Sequence, residues 1–220
     1  MDRTQYFKNG YYCGKIEEIF FDKSLLEENI KIIQESFDQK DPDIWKYNNA
    51  ILTNQNMPNV IGIDEIPTRR EFLKKEKLSV AQQLFIATVP NKVNKFFQNN
   101  ITDFIKSLYP LEQNFNYHHN DSLSALADGD YITNHRDGGN PNRLCGIIVY
   151  LSNYDDYSKK DGGGELVLNT DIIIPPVRGT FVLLDYTLNN LEHEVKPVKN
   201  DFLRLAYINF ISKIKKENNE

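Results

Sequence analysis

The chain has 220 residues, of which 31 are acidic and 26 basic, giving a formal charge of −5. That length fits one domain able to bury a core without disulfide or metal staples, and 12 Tyr with 13 Phe exclude disorder over most of it. The acidic balance excludes a nucleic-acid binder resting on a basic surface, and four His with two Cys leave any metal site a short list of ligands.

Met1-Asp2-Arg3-Thr4-Gln5-Tyr6 lacks the apolar stretch of a secretion signal, and no run approaches a membrane-spanning length. A soluble, cytoplasmic protein with neither membrane nor nucleic-acid partners is expected. Cys13 and Cys145 lie far apart without a CxxC partner, which favours free thiols over a disulfide or zinc ribbon.

The first half, residues 1–110, reads as a mainly helical buttress. Ser24 with Glu27 three residues on has capping-box spacing, and Leu25, Leu26, Ile30, Ile33 and Phe37 continue an amphipathic helix to about Lys40. Asn48–Pro67, rich in Asn and Pro, reads as a long loop and a candidate flap. A second helical stretch runs from Ser79 through Phe97 with a break at Pro90, and a third covers Ile101–Leu108.

After Pro110 the pattern shortens to strands. They are Phe115–His119, Ser122–Asp128, Tyr131–His135, Leu144–Leu151, Glu165–Leu168, Asp171–Ile174, Thr180–Asp185, Leu191–Val195 and Leu203–Ile211. Turn clusters at 137–141, 161–164 and 175–176 separate them. The fold class is therefore α+β with a mainly β core, a sandwich or barrel with double-sheet jelly rolls among the options. The chain reads as a single domain, 1–220, with its core in 111–212 and a polar, frayed tail at 213–220.

Within this framework His135 and Asp137 stand two apart, so at a strand end both side chains face one way. An imidazole and a carboxylate so placed can hold a divalent metal, although an isolated His-x-Asp also serves turns. A third ligand must come from His118, His119 or His193. His193 lies on another expected strand, and two His with one carboxylate form the facial triad of non-haem Fe(II) oxygenases. His118 and His119 are adjacent and face opposite sides, one buried and one exposed. Arg204, eleven positions after His193, interrupts an apolar strand, Phe202-Leu203-Arg204-Leu205-Ala206-Tyr207-Ile208. Directed inward it needs an anionic partner, which a dicarboxylate supplies; directed outward it is a solvated charge.

Six words in this order resemble one family. They are His135-Arg136-Asp137; Arg143 with Val149-Tyr150-Leu151-Ser152; Gly163-Gly164-Glu165-Leu166-Val167-Leu168; Pro175 to Phe181; His193 to Val198; and Arg204. Together, from about Ala125 to Ser212, they are similar to the catalytic core of the Fe(II)/2-oxoglutarate-dependent dioxygenases, nearest the prolyl-4-hydroxylase-like branch. The resemblance implies a double-stranded β-helix, or jelly roll, with the N-terminal helices packed against it.

It also implies His135, Asp137 and His193 as iron ligands, and Arg204 with Tyr150 on the far carboxylate of 2-oxoglutarate. Arg143 would face substrate, with a surface charge as the competing reading. Tyr131 precedes the first ligand by four residues where many prolyl hydroxylases place a Tyr three before it, so it is a substrate-side candidate or a packing aromatic. Fe(II), 2-oxoglutarate and dioxygen are the implied cofactors, with ascorbate as reductant. The implied reaction hydroxylates an unactivated C–H of an amino acid residue, prolyl in a peptide or protein, or alternatively of a free amino acid or small metabolite. Halogenation is disfavoured because Asp137 keeps the carboxylate that related halogenases replace. Specificity is expected from Asn48–Pro67 and Asn114–Asp121. A zinc hydrolase lacks support because there is no HExxH and because Arg204 would have no task; a non-catalytic sensor barrel would not need an intact triad.

Overall fold

The computed structural model describes residues 1–39, 45–51, 60–62, 80–86, 91–137, 140–152 and 154–216. Helix α1 (Arg3–Asn9) starts where Asp2 accepts from the Thr4 N–H at 2.9 Å and stops at Gly10, which turns left-handed at φ 78°. Strand β1 (Tyr11–Lys15) follows, then a single 3-10 turn over Ile16–Glu18. Helix α2 (Lys23–Asp38) is capped by Asp22, whose carboxylate accepts from Leu25 N–H at 2.9 Å. This corrects the expected Ser24 cap. Asp22 has the extended backbone an N-cap needs, φ −89° and ψ 93°, and its anion also suits the positive end of the helix dipole.

The segment expected to be helical from Ser79 is a strand. β2 (Trp45–Ile51), β3 (Val60–Gly62) and β4 (Val80–Ile86) are antiparallel neighbours, β2 pairing with β4 from Trp45↔Ile86 to Ile51↔Val80. In Val80–Ile86 apolar residues flank Gln82-Gln83, a spacing that suits either period, and here pairing with β2 and with β5 at Leu84↔Ala125 decides it. The expected Asn48–Pro67 loop thus contains parts of β2 and all of β3, and its other residues lie outside the described ones. The two helices expected on either side of position 100 are one, α3 (Asn91–Lys106), which begins directly after Pro90 and buries Val93, Phe97, Ile101 and Ile105. Among the described residues of 1–110, the expected helices are accordingly joined by four strands of the larger sheet.

The remaining elements are β5 (Phe115–Leu126), β6 (Ile132–His135), β7 (Arg143–Tyr150), α4 (Tyr154–Lys160), β8 (Leu166–Leu168), β9 (Ile172–Ile174), β10 (Thr180–Asp185), β11 (His193–Val195) and β12 (Arg204–Lys215). The two strands expected between 115 and 128 are one, and the first part of the expected tail, Lys213–Lys215, completes β12. The strands form an eight-stranded sheet ordered β1-β10-β7-β12-β5-β4-β2-β3 and a four-stranded sheet ordered β6-β11-β8-β9. All pairings among the described strands are antiparallel, and the two sheets make the jelly roll with helices on the outer face of the larger one.

Two cores explain the sequence pattern. Between helices and large sheet lie Phe20, Ile30, Trp45, Phe97, Ile147, Leu183 and Tyr207; between the two sheets lie Leu126, Ile148, Tyr150, Leu166, Val182, Leu184 and Ala206. The central strands β7 and β10 are therefore buried on both faces and read as unbroken apolar runs rather than alternating ones. A buried polar tie joins the helical layer to the sheet. Tyr109 donates to Asp185 at 2.8 Å and shares a 2.6 Å contact with the Tyr6 hydroxyl, while Asp185 also accepts from Thr187, Leu188 and Asn189.

Candidate active site

The small sheet brings His135 and His193 together because β6 and β11 pair in a register that sets them directly opposite, with ring centroids 4.4 Å apart. Asp137 follows two residues after His135. Its Oδ1 lies 3.6 Å from His135 Nε2 and its Oδ2 lies 3.4 Å from His193 Nε2. One ligand atom from each residue lies within 4.8 Å of the others, as a single metal ion requires. Each imidazole points its other nitrogen at a main-chain carbonyl, His135 Nδ1 at Thr133 O (2.8 Å) and His193 Nδ1 at Leu191 O (3.1 Å). A carbonyl only accepts, so in the neutral ring the proton sits on Nδ1 and the Nε2 lone pair faces the cluster.

Electrostatics agree with that arrangement. His135 is held above its ordinary 6.5 by the neighbouring Asp137 carboxylate. Burial lowers His193, against the pull of Asp137. Burial alone would raise Asp137, but His135, the charge at His193 and a hydrogen bond from Tyr186 outweigh it and hold the carboxyl below 3.8. The ionised carboxylate is the form a cation needs.

The cluster opens into a cavity of about 400 Å³ between the sheets. Along β12 the inward residues run Arg204, Ala206, Ile208, Phe210; Arg204 and Phe210 stand at opposite ends of this run, and both line the cavity. At the inner end Arg204 is 1% exposed, and its Nε donates to Gly164 O at 2.9 Å. The glycine turn 162–164 is shaped for this. Gly164 has φ +73°, and a Cβ there would stand 3.0 Å from Arg204 Cδ. At Gly162 a Cβ would meet the Phe202 ring at 2.5 Å, so the turn expected at 161–164 also serves the seat of Arg204.

Two buried polar atoms at this end lack hydrogen-bond partners: Arg204 Nη1 and Tyr150 Oη. The guanidinium lies 5.2 Å from the Tyr150 ring, and burial raises the Tyr150 hydroxyl pKa against the lowering effect of Arg204, so the phenol keeps its proton. Two unsatisfied donors, the cationic Arg204 lining the cavity and Tyr150 beside it, fit a carboxylate arriving with a ligand. The residues therefore fit both groups the resemblance implies, a divalent cation at the His-Asp-His cluster and a dicarboxylate anchored at Arg204.

Arg143 begins β7 outside the cavity lining. Its guanidinium stacks over Phe210 (4.4 Å) and Tyr186 (5.6 Å), and its buried Nε lacks a partner. Tyr131 is half-buried ahead of β6 and does not line the cavity. His118 is exposed, whereas His119 turns to the helical side between Thr102 Oγ1 (2.8 Å) and Asn209 (2.9 Å), a structural station. Cys13 and Cys145 are free thiols away from the cluster. Sequence reasoning missed Tyr186, Phe210 and Gly146 as lining residues; the alternation Val182, Leu184, Tyr186 continuing β10 inward is the signal that could have found the first.

Residues 113–212 match the family described as the 2OG-Fe(II) oxygenase superfamily. No curated protein matches the chain. Among solved structures, a prolyl-4-hydroxylase of Pseudomonas putida is 13% identical with a TM-score of 0.61, covering 96% of this chain and 98% of its own. An oxidoreductase of the 2OG-Fe(II) oxygenase family from Burkholderia pseudomallei is 13% identical with a TM-score of 0.60, covering 99% and 92%. At these identities the likeness is one of fold. No helix among the described residues is long and apolar enough to cross a membrane. The matched stretch, residues 113–212, carries His135, Asp137, His193 and Arg204, and over it the chain is similar to the 2OG-Fe(II) oxygenase superfamily, an enzyme family that works with Fe(II), 2-oxoglutarate and dioxygen.

Proposed function

We propose that the chain is a 2-oxoglutarate-dependent hydroxylase acting on an amino acid residue, with a prolyl residue of a peptide or protein as the favoured substrate. The observation that carries the reading is the pairing, in one cavity, of the His-Asp-His cluster with Arg204, whose guanidinium, with Nη1 unsatisfied, lies beside the ring of Tyr150, whose hydroxyl is also unsatisfied. His135, Asp137 and His193 would hold Fe(II), which with 2-oxoglutarate supplies the oxidising power for C–H hydroxylation.

The chain's own contribution is placement. Arg204 and Tyr150 grip the distal carboxylate and set how far the cosubstrate reaches along the cavity. Between Arg204 and the cluster the cavity is lined by Leu166 and Val195, apolar side chains that keep water from the space between anchor and metal. At the open end Phe210, Tyr186 and Ile132 give an apolar wall against which a pyrrolidine ring can lie, and Arg143 brings donors to that side for a substrate carbonyl. Fold likeness to a prolyl-4-hydroxylase favours the prolyl substrate, with a free amino acid or small metabolite as the second reading.

The test is succinate formation by the full chain with Fe(II), 2-oxoglutarate and ascorbate, offered proline-containing peptides and, separately, free amino acids. Peptide-dependent succinate with a 16 Da gain on proline is the expected result. Succinate stimulated by free amino acids alone would transfer the function to the second reading, and none under any substrate would refute it.

A further inference from the structure

Tyr186 is the side chain in contact with the cluster whose task neither fold nor family explains. Its hydroxyl donates to Asp137 Oδ2 at 2.5 Å. The two carboxylate oxygens are therefore inequivalent: Oδ2 is engaged by a phenol, while Oδ1, 3.6 Å from His135 Nε2, has no such donor among the described contacts.

The phenol is held in this position from several sides. Its backbone N–H donates to Leu144 O at 3.1 Å, bringing the end of β10 against β7. Beneath the ring stands Gly146, where a Cβ would come within 2.7 Å of the Tyr186 hydroxyl and 2.9 Å of its ring. The missing side chain in an otherwise apolar strand is what lets the ring lie against β7 and its oxygen reach Asp137. Arg143 and Phe210 cover the ring at 5.6 Å and 6.3 Å. From the same connection Asn190 donates to the Asp137 main-chain oxygen at 2.7 Å, so residues 186–190 grip Asp137 by side chain and backbone. Packing alone would account for an aromatic ring here, but not for a hydroxyl aimed at a carboxylate over a clearance that only glycine leaves.

We infer that Tyr186 is a positioning residue that holds Asp137 so that its carboxylate offers Oδ1 alone to the metal. A carboxylate free to turn can chelate through both oxygens and take a second coordination position; with Oδ2 tied to the phenol it takes one and leaves the neighbouring position for ligands from solution. The inference rests on the reading of His135, Asp137 and His193 as metal ligands. Partners of this kind, which orient a ligand without touching the ion, are typically worth ten- to a hundredfold in metal affinity.

The experiment titrates full-length wild type, Tyr186→Phe and Gly146→Ala with Mn(II), followed by the electron paramagnetic resonance of free ion, and with Co(II), followed by its visible absorption. Tyr186→Phe keeps the ring and deletes the hydroxyl; Gly146→Ala keeps the hydroxyl and displaces it. We expect both to weaken Mn(II) binding about tenfold or more and to change the Co(II) band shape, with the metal-free melting temperature of Tyr186→Phe close to wild type. A Tyr186→Phe protein with Mn(II) affinity within twofold of wild type and an unchanged Co(II) spectrum overturns the inference. Should that variant fail to fold, Gly146→Ala decides by the same two readouts. If wild type itself takes up neither ion, the ligand reading falls first and the positioning role with it, an outcome visible before any variant is compared.

Discussion

Arg204→Met separates an anchor for a ligand from a structural ion pair, because the two have opposite consequences for the ligand-free protein. In the structure the guanidinium is buried, one hydrogen bond goes from Nε to Gly164 O, and no acidic side chain among the described residues pairs with it. Removing Nε leaves the Gly164 carbonyl unpaired, which costs about 1–3 kcal/mol. Removing a buried charge that has no counter-ion recovers about 1–4 kcal/mol. The two nearly cancel, so the ligand-free variant should lose no more than about 2 kcal/mol, a fall in melting temperature of at most about 4–8 °C for a chain of this size.

Ligand binding has no such compensation. Losing two charge-assisted hydrogen bonds to a carboxylate, at about 1.5–3 kcal/mol each, removes about 3–6 kcal/mol, or roughly a hundred- to ten-thousandfold in Kd. Thermal melts with Mn(II), with and without 2-oxoglutarate, report both quantities in one assay, since a ligand that binds only the native state raises its melting point by mass action. Wild type should gain stability with 2-oxoglutarate and Arg204→Met should not. A variant that keeps its 2-oxoglutarate response refutes the anchor. A ligand-free loss of about 3–5 kcal/mol, the signature of breaking a satisfied buried pair, would show that Arg204 is structural. Tyr150→Phe removes one donor only and should weaken 2-oxoglutarate by about 1–2 kcal/mol, or roughly five- to thirtyfold.

His135→Ala should abolish Mn(II) uptake while leaving the far-ultraviolet circular dichroism intact; retained binding would remove His135 from the ligand set. Mn(II) affinity should fall with pH, because a proton competes for His135, whose pKa Asp137 holds above 6.5; calorimetry in buffers of different ionisation enthalpy should find a proton released per ion in that range, and its absence would exclude His135 as the titrating ligand. In the metal-free protein Asp137, held below 3.8, contributes stability that is present above that value and lost as pH falls through its lower folded value, so Asp137→Asn should flatten the acid limb of the melting profile. Gly164→Ala places a Cβ 3.0 Å from Arg204 Cδ at φ +73° and should cost about 1–3 kcal/mol in urea unfolding; a neutral result would mean that the turn relaxes without disturbing Arg204.

What could be read from the chain, and what could not, divides along the range of the interactions. His135-x-Asp137 was legible because a strand's period of two puts both on one side whatever the rest of the fold does, and Arg204 because a charge inside an apolar run demands a partner. β7 and β10 were legible because burial on both faces leaves an unbroken apolar run. Val80–Ile86 failed the same kind of reading: its spacing serves either period, and pairing with β2 and β5, set by residues far away in sequence, decides. Tyr186 lies between these cases. Alternation from Val182 and Leu184 turns it inward, but its meeting with Asp137 depends on the register of β10 against β7 and on an absent side chain at Gly146, neither of which is a property of the segment that contains Tyr186. A glycine inside an apolar strand is the one local mark such a contact leaves, since it shows that something lies close without showing what. The pairs worth seeking in related sequences are accordingly an inward aromatic just past one central strand and a glycine in the strand beside it.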